Sequence, residues 1–148
     1  WYLLSTSTTK AGANTNRDIN INIASSYING KILQPNEKFS FWDTVGKCTY
    51  DKGYKDATVY NNGKKTKGIG GGVCQVSTTV NMAVKSAGIK TNARQHSLPV
   101  SYASREDEAT VSFGNIDFKF TNTTGKTIML VMGAVDGSCT CEVWAKYE

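Results

Sequence analysis

The chain has 148 residues, of which 39% are hydrophobic, and we expect one globular domain with a sizeable core over residues 1–148. No apolar run is long enough to span a bilayer, so membrane contact would require an anchor outside this chain. The net charge of +5 comes from dispersed lysines rather than from a basic stripe with exposed aromatics, so we expect no nucleic-acid partner. An anionic cell-wall polymer would suit this charge.

The first predicted element is an amphipathic helix from Asn16 or Arg17 to Asn29, where apolar side chains recur at helical spacing. A strand is predicted from Lys38 to Trp42, because apolar and polar residues alternate there. A hairpin follows, with strands at Ala57 to Tyr60 and Lys64 to Thr66 and its tip at Asn61-Asn62-Gly63.

The second predicted helix begins at Cys74, directly after Gly70-Gly71-Gly72, and ends at Gly88. Its valines and alanines share one face, which indicates a central, buried helix. The remaining predicted strands are Ile89 to Gln95, Ala109 to Phe113, Ile116 to Thr121, Thr127 to Met132 and Thr140 to Tyr147. This order predicts an α+β fold, with two main helices packed on a largely antiparallel sheet.

Cys74 is a candidate nucleophile because of its place at the start of a helix that follows three glycines. Glycines let the backbone approach a ligand closely, and the free N–H groups of a helix start favour a thiolate. His96, the single histidine, is the candidate base, and we expect it beside Cys74 in a cleft lined by the glycines. The alternative is that Cys74 is a small, buried hydrophobic residue.

The other cysteines are Cys48, Cys139 and Cys141. On a regular strand the Cα atoms of Cys139 and Cys141 would lie about 6.6 Å apart, near the upper limit for a disulfide. Zinc would have to recruit Cys74 and His96, which would consume the presumed nucleophile. We therefore expect no metal and a disulfide from Cys48 to Cys139 or Cys141, which would place the domain outside the reducing cytosol.

Two segments, Gly70 to Thr79 and His96 to Tyr102, closely resemble the sequence motif of the VanW domain family. The resemblance extends over nearly the whole chain up to about Met132. The chain departs from the family pattern at Val80-Asn81 in the second helix, and at Ala103 to Glu108, where the family has a proline-rich turn.

The resemblance implies a role in the envelope of a Gram-positive bacterium, because the family is associated with such envelopes and with glycopeptide-resistance gene clusters. Some VanW-type domains are regarded as L,D-transpeptidases that pair a cysteine with a histidine, which implies these roles for Cys74 and His96. Because the chain begins with Trp1-Tyr2, we expect a domain excised from a longer secreted or membrane-anchored protein, located at the cell wall or the outer face of the membrane.

The implied partners are peptidoglycan stem peptides, and no cofactor is expected. The Cys74 thiolate would attack the carbonyl of the third stem residue and expel the terminal D-alanine, after which an amine of a neighbouring stem would complete a 3–3 cross-link. The backbone N–H groups of Gly72 and Cys74 are candidates for an oxyanion hole.

A third side chain is expected to orient His96. The candidates by residue type are Ser97, Ser101, Tyr102, Ser112 and Asp117. Asp117 has the best chemistry, because a carboxylate stabilises an imidazolium, although the alternative that it closes the Gly114-Asn115 turn is slightly favoured. Arg94 is a candidate for binding a stem-peptide carboxylate through the parallel N–H donors of its guanidinium, and the alternative is a solvated strand residue.

Two other functions remain open at the level of sequence. One is a non-catalytic peptidoglycan-binding module, in which the helix start holds a carboxylate and Cys74 only packs. The other is a cysteine carboxypeptidase or endopeptidase that cuts stem peptides. The combination of Cys74 with the sole histidine favours catalysis, but it does not separate transfer from hydrolysis, and the oligomeric state is open.

Overall fold

The computed structural model describes residues 1–12, 14–61 and 63–148, without the side chains of Tyr60 and Asn61. The helices are α1 (Thr15–Ile28), α2 (Phe41–Val45) and α3 (Val73–Ser86). The strands are β1 (Tyr2–Lys10), β2 (Lys31–Leu33), β3 (Lys38–Ser40), β4 (Asp56–Asn61), β5 (Lys64–Ile69), β6 (Lys119–Thr121), β7 (Ile128–Val135) and β8 (Ser138–Ala145). Helices and antiparallel sheets together make the predicted α+β fold.

The main sheet has the strand order β1-β8-β7-β2, and each neighbouring pair is antiparallel. Along β8 buried residues alternate with half-buried ones, so that Cys139, Cys141, Val143 and Ala145 point into the core. Helices α1 and α3 pack against this sheet and against each other. Their apolar faces and the sheet form one buried hydrophobic cluster.

Helix α1 confirms the first predicted helix. Asn14 is its N-cap and its side chain accepts a hydrogen bond from the backbone N–H of Arg17 at 3.0 Å. Ile21, Ala24 and Ile28 form the buried stripe of the helix. The start of α1 is therefore fixed, and with it the position from which Arg17 extends.

Helix α3 confirms the second predicted helix and is buried over most of its surface, including polar residues such as Gln75 and Thr79. The Gln75 side chain donates to the hydroxyl of Thr9 at 3.0 Å, which ties α3 to β1. The helix ends before Gly88, which has a φ of 89°. A left-handed residue of this kind stops a helix, as the sequence predicted.

The remaining strands form two small sheets, β3 with β6 and β4 with β5. The β4-β5 pair confirms the predicted hairpin, whereas Asn62 of the predicted tip lies outside the described residues. Within the described chain, no helix has the length and apolar character needed to cross a membrane.

Several predicted strands were wrong or only partly right. The prediction missed β1 and β2, and it extended β3 to Trp42, although Ser40 caps a helix that begins at Phe41. Ile116 to Thr121 is a strand only from Lys119 onward. Predicted strands Ile89 to Gln95 and Ala109 to Phe113 are instead loops with isolated bridges, at Thr91 and at Ser112 respectively.

Candidate active site

The glycine loop holds the start of α3 against neighbouring backbone. A Cβ at Gly71 would lie 2.5 Å from the carbonyl carbon of Ala57, and one at Gly72 would lie 2.6 Å from Cγ of Arg17. Gly72 is the N-cap residue and has a φ of 106°, a conformation that favours glycine. Cys74 is the second residue of the helix and is half-buried. The three glycines thus place the thiol at a tightly packed helix start.

The structure places Cys74 and His96 in the wall of the same cleft, near enough for each to shift the pKa of the other. His96 lies in a loop and only 3% of its surface is exposed. Its Nδ1 atom contacts Glu108, and its Nε2 atom lies 3.4 Å from the hydroxyl of Tyr102. The imidazole is therefore held in one orientation beside Cys74.

Glu108 is the residue that orients His96. Its Oε1 lies 2.7 Å from Nδ1 of His96 and accepts a hydrogen bond from the backbone N–H of His96 at 2.9 Å. The carboxylate is fully buried, and Arg105 lies 3.3 Å from its Oε2. A carboxylate at Nδ1 fixes the imidazole tautomer and stabilises the imidazolium, as in a nucleophile, histidine and carboxylate triad.

Glu108 was missed at the level of sequence because Ala103 to Glu108 was recognised only as a departure from the family pattern. The available signal was a carboxylate directly before the apolar Ala109-Thr110-Val111 segment. A carboxylate next to a buried segment needs a partner, and His96 was the histidine that could supply one.

Asp117, the favoured candidate for this role, lies elsewhere and was the wrong choice. Its carboxylate accepts hydrogen bonds from the Ser40 hydroxyl and, at 3.0 Å, from the backbone N–H of Trp42. It therefore holds the start of α2. A carboxylate satisfies the unpaired N–H groups of a helix start better than a neutral side chain does, which explains this placement.

Further contacts surround the sulfur of Cys74. The backbone N–H of Val111 donates to Sγ at 3.5 Å, and the hydroxyl of Thr110 lies 3.7 Å away. In the part of the chain that the structure describes, the N–H groups of Gly72 and Cys74 have no hydrogen-bond acceptor. The two groups therefore remain candidates for the oxyanion hole.

These contacts set the protonation of the pair. Burial opposes charge on Cys74, but the hydrogen bond and positive charge of His96, with the contacts of Val111 and Thr110, lower the pKa of the Cys74 thiol. Burial likewise disfavours the imidazolium, yet Cys74 and then Glu108 raise the pKa of His96. The two directions together favour a thiolate and imidazolium pair.

A cleft of about 1060 Å³ opens onto Cys74 and His96. The remaining sequence candidates share this site, because the cleft is lined by Ser97, Ser101, Tyr102, Ser112 and Arg94. The hydroxyl of Tyr102 contacts the imidazole. The charged side chains among the described lining residues, apart from His96, are Arg17, Lys47 and Arg94, and none is acidic. The cleft is therefore suited to an anionic ligand.

All four cysteines are free thiols, so the expected disulfide from Cys48 to Cys139 or Cys141 is not formed. Cys48 lies beside Gly70 in the cleft, whereas Cys139 and Cys141 are buried in the core on β8. The two locations belong to different parts of the fold. Among the described residues, no group of three or more His, Cys, Asp or Glu is arranged to hold a metal ion.

Comparison with known proteins gives the chain its relatives. Residues 16–144 match the family described as VanW like protein. The chain is 39% identical over 127 residues to the uncharacterized protein YoaR of Bacillus subtilis (strain 168), which covers 85% of this chain and 42% of YoaR. It is 30% identical over 142 residues to the vancomycin B-type resistance protein VanW of Enterococcus faecalis (strain ATCC 700802 / V583), covering 90% of this chain and 46% of that protein.

The chain thus spans less than half the length of either of these relatives. No solved structure matches it.

Proposed function

The chain belongs to the VanW family, and we propose that it is a cysteine-dependent L,D-transpeptidase of the bacterial cell wall. The observation that supports this proposal most directly is the Cys74, His96 and Glu108 arrangement in a basic cleft. A relative bears the name of a vancomycin resistance protein, which agrees with a role at the cell wall. Peptidoglycan stems carry free carboxylates, which suits a cleft whose described lining residues include no acidic side chain.

The first step is acylation of Cys74. The thiolate attacks the carbonyl carbon of the third stem residue, and the developing oxyanion accepts hydrogen bonds from the N–H groups of Gly72 and Cys74. The bond to the terminal D-alanine breaks, and the imidazolium of His96 gives its proton to the leaving amine. The products are a thioester on Cys74, free D-alanine and a neutral imidazole.

The second step transfers the acyl group to an amine. The side-chain amine of a neighbouring stem attacks the thioester, and neutral His96 takes the proton that this amine loses. The thiolate leaves, so the pair returns to its starting charges, and a 3–3 cross-link has formed. Glu108 keeps Nε2 of His96 directed at the reacting atoms through both steps.

Water as the acceptor in the second step would make the same site a carboxypeptidase, and attack within a longer peptide would make it an endopeptidase. A purely binding module would need neither the lowered pKa of Cys74 nor a buried carboxylate behind His96. This contrast favours catalysis over binding alone. The reaction products distinguish the transpeptidase from the carboxypeptidase and the endopeptidase.

The test is incubation of the domain with disaccharide tetrapeptide stems, followed by chromatography and mass spectrometry of the products. We expect cross-linked dimers that have lost one D-alanine, and no such dimers with the folded Cys74→Ala variant. Tripeptide stems without dimers would indicate the carboxypeptidase instead. Unchanged stems that nevertheless bind to the protein would indicate a binding module.

We further propose that the domain works outside the cytoplasm, at the cell wall or the outer face of the membrane of a Gram-positive bacterium. Its substrate would be located there, and any membrane contact would come from an anchor outside this chain. Protease treatment of intact cells tests this location, because an external domain is digested while cytoplasmic proteins survive.

A further inference from the structure

Arg17 extends from the first turn of α1 to the lining of the cleft, and no described residue forms an ion pair with it. Its Nη1 atom is buried and has no hydrogen-bond partner among the described residues. None of the ion pairs among these residues involves Arg17. A buried guanidinium N–H without an acceptor costs free energy, because it has lost its hydrogen bonds to water.

Two neighbours hold the guanidinium in this position. Its central carbon lies 5.5 Å from the centroid of the Tyr102 ring, which is the geometry of a cation–π contact. The aliphatic part of Arg17 packs where a Cβ on Gly72 would lie, 2.6 Å from Cγ. The side chain is therefore fixed while one of its donors remains unused.

The position is next to the proposed reaction centre. The Tyr102 hydroxyl lies 3.4 Å from Nε2 of His96, and Gly72 is the N-cap residue of the helix that carries Cys74. An anion bound to Arg17 would thus lie beside the atoms that Cys74 attacks. In a terminal amino acid, the carboxylate carbon is only about 2.5 Å from the amide nitrogen of the scissile bond.

We propose that Arg17 binds the free α-carboxylate of the terminal residue that the donor stem loses. This assignment rests on the proposed function, because it names the part of the substrate that the site recognises. It makes the enzyme specific for a scissile bond one residue from a free carboxyl end. A guanidinium suits this role because its parallel donors match the two oxygens of a carboxylate.

The direct test compares two donor stems that differ in one group, a tetrapeptide with a free terminal carboxylate and the same tetrapeptide as its amide. The wild-type protein acylates faster with the acid, and Arg17→Gln lowers this preference by roughly tenfold, as expected for a lost charge-assisted hydrogen bond. Lys90→Gln, which removes an exposed charge outside the cleft, leaves the preference unchanged. Loss of the preference in Arg94→Gln but not in Arg17→Gln would overturn the proposal.

A second test does not depend on transpeptidase activity. Iodoacetate and iodoacetamide both alkylate Cys74, but only iodoacetate carries a carboxylate. We expect Arg17→Gln to lower the ratio of the iodoacetate rate to the iodoacetamide rate at Cys74, measured on the peptide that contains Cys74. Arg17→Lys, which keeps the charge and the aliphatic contact with Gly72, retains part of the ratio and serves if Arg17→Gln does not fold.

The two tests separate the two proposals. A wild-type protein that forms no thioester with either stem would refute the transpeptidase, and the alkylation ratio would still decide the role of Arg17. Equal alkylation ratios in the wild type and both Arg17 variants would overturn the anion site, even if acylation proceeds.

Discussion

Replacing Glu108 by glutamine tests whether a buried carboxylate controls the reactivity of Cys74. Glutamine has nearly the same shape, so its amide oxygen can still accept the two hydrogen bonds that His96 donates to Oε1. The change therefore removes the negative charge and little of the packing. Arg105, whose side chain is 40% exposed, loses an ion pair but can turn to solvent.

The expected magnitude follows from the bond at Nδ1. A hydrogen bond to a charged group contributes about 1.5–3 kcal/mol and a neutral one about 0.5–1.5 kcal/mol, so the imidazolium loses on the order of 1 kcal/mol of stabilisation. The pKa of His96 falls and, because the charge of His96 helps to hold the thiolate, the pKa of Cys74 rises. At a pH where the pair is partly formed, this loss corresponds to a reduction of roughly fivefold in thiolate reactivity.

The assay is the rate of iodoacetamide addition to Cys74 across pH, read by mass spectrometry, together with thermal unfolding of each variant. Asp117→Asn is the matched control, because it removes a carboxylate that holds the start of α2. We expect it to lower stability by about 1 kcal/mol without changing the rate at Cys74. A Glu108→Gln protein with the wild-type rate and pH profile would refute the role of Glu108.

Further predictions test other parts of the structure. Cys74 should be alkylated first at neutral pH, because the pKa values of Cys48, Cys139 and Cys141 are raised, mainly by burial, while that of Cys74 is lowered. Thiol titration of the unfolded protein, without reductant, should give four thiols. A count of two would instead support the predicted disulfide. His96→Ala should slow alkylation of Cys74 at neutral pH, because it removes the interactions of His96 that lower the pKa of the thiol. At alkaline pH the rate should recover towards that of the wild type. A rate at neutral pH equal to that of the wild type would contradict the pairing of Cys74 with His96. In the wild type, the lowered pKa of Cys74 stabilises the fold at pH values above the pKa of the unfolded thiol. This stabilisation is lost as the pH falls through the pKa of Cys74 in the folded protein. The raised pKa of His96 stabilises the fold at pH values below the pKa of the unfolded imidazole, and this stabilisation is lost as the pH rises through the pKa of His96 in the folded protein. Gly71→Ala should destabilise the domain by about 1–3 kcal/mol, because its Cβ would lie 2.5 Å from the Ala57 carbonyl carbon, and an unchanged melting temperature would show that the loop is less tightly packed than described.

The sequence was most informative where local signals decide the structure. Apolar residues at helical spacing, Ala24 and Ile28 among them, were sufficient to predict α1, although the pattern included the exposed Tyr27 and omitted the buried Ile21. The glycines on either side of α3 were sufficient for that helix. The alternation that predicts a strand was less reliable. Ala109 to Phe113 has β-branched and apolar residues, yet its backbone bonds to side chains of α3, to the loop at Arg94 and to Ile116. Such pairing depends on tertiary contacts that a local pattern does not contain.

The candidate site shows the same limit. Cys74 and His96 were found from residue type and from the glycine loop, because each is chemically distinctive in this sequence. Glu108 was not, since its role depends on a contact with a residue twelve positions away along the chain. Arg17 was assigned only to a helix, and its approach to Gly72 and Tyr102 becomes visible only when α1 and α3 are packed together.

The central claim is that Cys74 forms a thioester with a peptidoglycan stem. It is tested most directly by incubating the domain with a disaccharide tetrapeptide, stopping the reaction in acid and measuring the mass of the peptide that contains Cys74. We predict that this peptide gains the mass of the stem less one D-alanine, and that the adduct disappears after hydroxylamine treatment. A folded protein with a reactive Cys74 thiol that yields cross-linked dimers without this adduct, or a Cys74→Ala variant that still yields them, would contradict covalent catalysis at Cys74.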